Sequence, residues 1–145
     1  MNPKKAKRNA IVTLALLVIL VVLGIFLMST IIIPLVEFIV DNGDTYTEAQ
    51  LEEFALGLVG GTTLVVLLTL FFGFLYIVFY ILSLIEASKN PDNRIPFILL
   101  VLGLFAPFFL PLGLAALIGL ILLLVESTKV VDDPDSDDFY YPKHE

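Results

Sequence analysis

Residues suited to chemistry are scarce in this chain. Cysteine is absent and His144 is the sole histidine, which removes thiolate nucleophiles and Cys/His metal sets and leaves little for acid–base work near pH 7. Asp133, Asp135 and Asp137 alternate like the first half of a calcium loop. A loop counted from Asp133 needs glycine at its sixth position and glutamate at its twelfth, where Asp138 and His144 stand, so the calcium reading fails. Glu37 is the one carboxylate inside an apolar stretch. A proton or cation site requires it deep and paired, whereas its place past Pro34 and close before Asp41 puts it in the headgroup region. There is no phosphate loop, no serine-histidine-acid set and no paired intramembrane acid. The expectation is a protein that is not an enzyme, with no catalytic residues, cofactor or metal.

The remaining candidates are hydroxyls and small residues. Thr69, Gly73, Tyr76, Tyr80 and Ser83 recur at spacings of four and three, which places them on one helical face as the polar seam of a bundle. A sharper reading is the lining of a ligand or ion path, but the seam holds no buried charge of the kind that marks transport pathways. Gly57 and Gly61 form a small-x-x-x-small pair that lets helix backbones approach in lipid, against the first helix or against a second copy. Ala115 and Gly119 repeat the pattern further on.

The elements that must carry these residues are membrane helices. The chain has 145 residues, 59% apolar and 16% charged, with a mean hydropathy of +0.99, against about 45–50% and about 25% in a soluble domain. A net charge of −7 argues against nucleic acid as a partner, since that binding neutralises phosphates with Lys and Arg. The charges fall into four blocks: basic at Lys4, Lys5, Lys7 and Arg8, acidic from Asp41 to Glu53, mixed from Glu86 to Arg94, and acidic from Glu126 onward. Between them lie apolar stretches at 10–40, 54–85 and 95–125. A crossing needs about 20 residues, and each stretch is roughly 45 Å long as a helix, so each must tilt, project or fold back.

The first apolar run is unbroken from Ala10 to Met28 and no small-x-small cleavage site follows, so it reads as a retained signal anchor. Ser29 and Thr30 can bond back to helical carbonyls, and Pro34 can bend or end the helix. Thr47 with Gln50 fits a capping box, and Glu48 suits the positive end of the helix dipole. Asn90, Pro91, Asp92 and Asn93 mark a turn. In the third stretch Pro107, Pro111 and Gly113 fall within seven residues, giving either one kinked helix or a hairpin of two short ones, the second admitting a return of the chain. The expected fold is an all-α integral membrane bundle of four transmembrane helices, the last two a short hairpin; the alternative is three long helices, the third kinked. The organisation expected is a basic tail over 1–9, a bundle over 10–126 with spans near 10–40, 48–86, 95–107 and 111–126, and an acidic disordered tail over 127–145. In that tail Phe139, Tyr140 and Tyr141 are either a docking motif or interfacial aromatics. Basic residues favour the cytoplasm, so the N-terminus is expected inside, 41–53 outside and the C-terminus inside, in a multi-pass protein of the cell membrane.

With this plan the chain resembles small four-span membrane proteins of Gram-positive bacteria that belong to families of unknown function. The likeness is carried by the basic start, the acidic connector entering Ala55–Gly61 (ALGLVGG), the polar turn at Lys89–Arg94, and the aliphatic pair Ile98–Leu104 (ILLVLGL) and Leu114–Val125 (LAALIGLILLLV). It covers about two thirds of the chain and implies four helices with both termini inside, with no catalytic or binding residues to transfer. The functional expectation is a structural or interaction component of the bacterial envelope, partnered by the bilayer and by other membrane proteins or a second copy. A pore, holin-like or transport component and an immunity protein against a membrane-active peptide are the alternatives.

Overall fold

The computed structural model describes residues 1–107 and 111–132. Among these the chain is all-α and has no strand: α1 is Pro3–Asn42, α2 Glu48–Ser88, α3 Ile95–Gly103 and α4 Pro111–Asp132. Three of the helices, α1, α2 and α4, are long and apolar enough to cross a membrane. α3, at nine residues, extends about 14 Å and falls short of the ~30 Å hydrocarbon core.

Local sequence explains the ends. Asn2 Oδ1 accepts the Lys5 N–H at 3.2 Å and caps α1. The basic segment 1–9 is therefore mostly the opening of α1 rather than a separate tail. At the far end Gly43 takes a φ of 55° and its N–H reaches Ile39 O at 2.9 Å, the left-handed stop that glycine permits. Pro34 does not end α1, which runs through it. Thr30 and Ser29 bond back to Phe26 O and Ile25 O, as hydroxyls inside a helix are expected to. The capping box forms in both directions: Gln50 Oε1 accepts the Thr47 N–H at 2.9 Å, and Thr47 Oγ1 accepts the Gln50 N–H at 3.3 Å. α3 begins where Asn93 Oδ1 accepts the Ile95 N–H at 3.0 Å, and Pro96 sits at a position whose N–H has no helical partner to lose.

The third apolar stretch is a hairpin and not a kinked helix. α3 stops at Gly103 and gives way to tighter turns, Leu104 N to Val101 O, Phe105 N to Leu102 O and Ala106 N to Gly103 O, each at 3.1 Å. This shortens the expected helix over 95–107, with Pro107 lying in the turn. Pro111 opens α4, the first-turn position that proline suits. α4 returns antiparallel to α3: a Cβ on Gly113 would meet Ala106 Cβ at 4.0 Å, and one on Gly119 would lie 3.1 Å from Leu100 and Leu99. α4 continues to Asp132, so residues 127–132 are helical and not part of a disordered tail. The first breaker after Val125 is Pro134. The aspartates from 133 on and the aromatic group at 139–141 lie outside the described residues.

Two compact units divide the chain: Met1–Ala15 with Tyr76 onward, and Leu16–Leu75. In the second, Phe38 stacks on Phe54 with ring centroids 4.5 Å apart and tilts against Tyr46 at 5.8 Å, clasping the α1–α2 connection. The first unit contains the core, built around Ala6, Ala10, Tyr80, Ala87, Leu100, Ala116, Leu120 and Leu123.

Candidate functional site

Glu86, Ser83 and Tyr80 follow one another at single-turn spacing along α2; the first two engage α1, at its cap and within it, and the third engages α3. Glu86, 7% exposed, accepts the Asn2 N–H at Oε2 (3.2 Å) and Lys89 Nζ at Oε1 (3.1 Å). The carboxylate thus ties the start of α1 to α2, with its charge paired by Lys89. Beside it Glu126 of α4 accepts the Asn90 side-chain amide at 3.0 Å and that of Asn93 as well. The start of α1, the end of α2, the α2–α3 turn and residue 126 of α4 therefore share one end of this unit.

One turn inward, Ser83 Oγ lies 3.2 Å from Thr13 Oγ1, both fully buried. Thr13 also reaches Asn9 O at 2.7 Å and Ser83 reaches Phe79 O at 2.9 Å. Two hydroxyl protons are shared among these three contacts, so at any instant one contact carries no proton and both protons stay with the partner hydroxyl or the helix backbones. Asn9 Oδ1 is buried without a partner.

The third step closes the hairpin. At the end of α3 the Leu104 N–H turns toward Val101 O at 3.1 Å, which tightens the last turn and weakens its hold on the Leu100 carbonyl. An unmet carbonyl in an apolar interior costs several kcal/mol. Tyr80 Oη donates to that oxygen at 2.6 Å. The ring and hydroxyl fit because Gly103 has no side chain: a Cβ there would lie 2.5 Å from Tyr80 Oη and 2.8 Å from Ala116 Cα. Tyr76 tilts against Tyr80 at 5.7 Å between centroids.

The seam expected from spacing is thus split. Tyr76, Tyr80 and Ser83 meet at the junction, while Thr69 Oγ1 turns back to Val65 O at 2.7 Å and Gly73 has open space around it. Gly57 and Gly61 line an open groove of about 320 Å³ with Thr30, Pro34, Phe54 and Leu58, and a Cβ on either glycine meets no atom within 4 Å. They hold no tight helix contact in this chain, so Gly61→Leu is expected to shift unfolding in detergent by less than about 1 kcal/mol. A larger loss, read from thermal denaturation, would place a packed partner over the groove. Gly119 makes a close contact with α3, while its neighbour in the tight packing is Ala116 rather than Ala115. Sequence reasoning missed Asn9, Thr13, Gly103, Ala116 and the Glu126 clasp. Ala6, Ala10 and Thr13 do repeat the four-then-three spacing of the seam, the one signal that would have found the α1 side. No known protein family, curated protein or solved structure matches the chain, and the geometry alone carries the functional argument.

Proposed function

We propose that this is a multi-pass protein of the cell membrane with a structural or associative role, a fixed helical scaffold that meets other envelope proteins along α1 and α2. One observation carries the reading: the buried hydroxyls and carboxylates of the first unit, Glu86, Ser83, Thr13 and Tyr80, are consumed in holding elements together. By contrast, large apolar side chains of α1 and α2 stand open, among them Val22, Ile25, Leu56 and Phe74. A pathway for ions or solutes calls for a run of unspent polar groups, and among the described residues the buried side chains leave one such atom, Asn9 Oδ1. The likeness to small four-span proteins of Gram-positive bacteria belongs to the same proposal. So does an arrangement with the N-terminus inside, the loop at Gly43–Thr47 outside, and the α3–α4 hairpin entering from the cytoplasmic side and returning to it. That keeps the even parity of four spans although α3 is short for a full crossing.

The native chain lacks cysteine, so single cysteines test the arrangement cleanly. Thr45→Cys is expected to react with an impermeant maleimide in intact cells, and Lys129→Cys only after permeabilisation. Labelling of Lys129→Cys in intact cells would overturn the parity. For the role itself, photo-crosslinkers at Val22 and Leu56 are expected to give discrete protein adducts, and dye-loaded liposomes carrying the protein to stay sealed. Leakage would favour a pore, and lipid-only adducts would sink the scaffold reading.

A further inference from the structure

The opening turns of α1 have two faces. Ala6, Ala10 and Thr13 are fully buried, and on the opposite side Lys4, Lys7, Arg8, Ile11 and Val12 line a shallow depression of about 350 Å³. Its cations are unmatched: among the described residues the one ion pair joins Lys89 to Glu86, whose second oxygen is already taken by the Asn2 N–H. That same bond, with the Asn2 cap, anchors the first turn of α1 to α2 and holds the three basic side chains on a rigid helix, which reduces the ordering cost of binding.

We propose that this face binds the headgroup of an anionic phospholipid, the phosphate held among Lys4, Lys7 and Arg8 and the upper acyl chains lying over Ile11 and Val12. Charge complementarity selects the occupant. Three cations near the positive end of a helix dipole favour an anion, and the apolar floor directly below them suits an anion joined to hydrocarbon, which a free phosphate is not. Lys5 lies outside the depression and serves as the internal control. The proposal rests on the reading of the chain as a membrane protein with this end at the headgroup level, but its test in detergent is independent of which side of the membrane that end faces.

The full chain, purified in detergent with equimolar phosphatidylglycerol and phosphatidylcholine, is expected to retain phosphatidylglycerol selectively in native mass spectra. Each basic residue near an anionic surface contributes roughly a fivefold factor. Lys4→Gln/Lys7→Gln/Arg8→Gln is therefore expected to weaken retention on the order of a hundredfold, and Lys5→Gln to keep it. Should the triple variant not purify folded, Lys4→Gln, Lys7→Gln and Arg8→Gln taken singly decide, each with a loss of roughly fivefold. Equal retention of the two lipids by the native chain, a preference unchanged by the substitutions, or displacement of the lipid by millimolar inorganic phosphate would overturn the proposal.

Discussion

Gly103→Ala is expected to open the α3–α4 hairpin, with a loss of about 3 kcal/mol or more in reversible unfolding in detergent. Overpacking in a filled core usually costs about 1–3 kcal/mol because neighbours shift to relieve it. Here a single methyl group meets backbone as well as side chain, 2.8 Å from Ala116 Cα and 2.5 Å from Tyr80 Oη. α3 and α4 must separate, and the Tyr80 hydroxyl is pushed from its carbonyl, so two losses add. Gly24→Ala is the matched control: nothing lies within 4 Å of a Cβ there, and the better helix propensity of alanine should leave stability equal or raised by up to about 1 kcal/mol. Equal stabilities for the two variants would show that the hairpin is not closed at Gly103.

Tyr80→Phe isolates the hydrogen bond from the packing. The ring stays, while the Leu100 carbonyl loses its side-chain donor where the turn of the Leu104 N–H toward Val101 O has weakened the helical one. Stranding an acceptor costs about 1–3 kcal/mol in a protein interior. Hydrogen bonds between membrane helices average about 0.6 and reach about 1.7 kcal/mol, so a loss of about 1–2 kcal/mol is expected. Amide exchange at Leu104 to Ala106 should rise in parallel, because the end of α3 frays when its last carbonyl is unmet. Ser83→Ala is the comparison, since Thr13 keeps Asn9 O as an acceptor and the loss should stay below that of Tyr80→Phe. A Tyr80→Phe variant as stable as the native chain would mean that the Leu100 carbonyl finds another donor.

Both predictions concern residues whose importance had unequal visibility in the sequence. Tyr80 stood out because Thr69, Gly73, Tyr76, Tyr80 and Ser83 share a spacing, yet the spacing named a face and not its partner. Gly103 sits in a plain aliphatic run, ILLVLGL, with no small residue four positions away to pair with it. It matters because the chain turns back and sets Ala116 opposite. Gly57 and Gly61 show the converse: a recognisable small-residue pair that lines an open groove instead of a tight contact.

The sequence by itself determined that the elements are apolar helices, where α2 starts and where it stops, and that a break falls near Pro107–Gly113. Those features are written in neighbouring residues: long apolar runs, the Thr47–Gln50 box, the turn residues Asn90 to Asn93, and Pro107, Pro111 and Gly113 close together. Tertiary structure alone decided that the third stretch folds back while the first two run on, that α3 ends at Gly103, and that Glu86 and Ser83 meet α1 while Tyr80 meets α3. A helix apolar on nearly all sides has no pronounced hydrophobic face to announce which side meets protein and which meets lipid. The choice then rests on close fits and on backbone groups freed at helix ends, and these come into being only when Leu100, Gly103 and Ala116 are brought beside Tyr80.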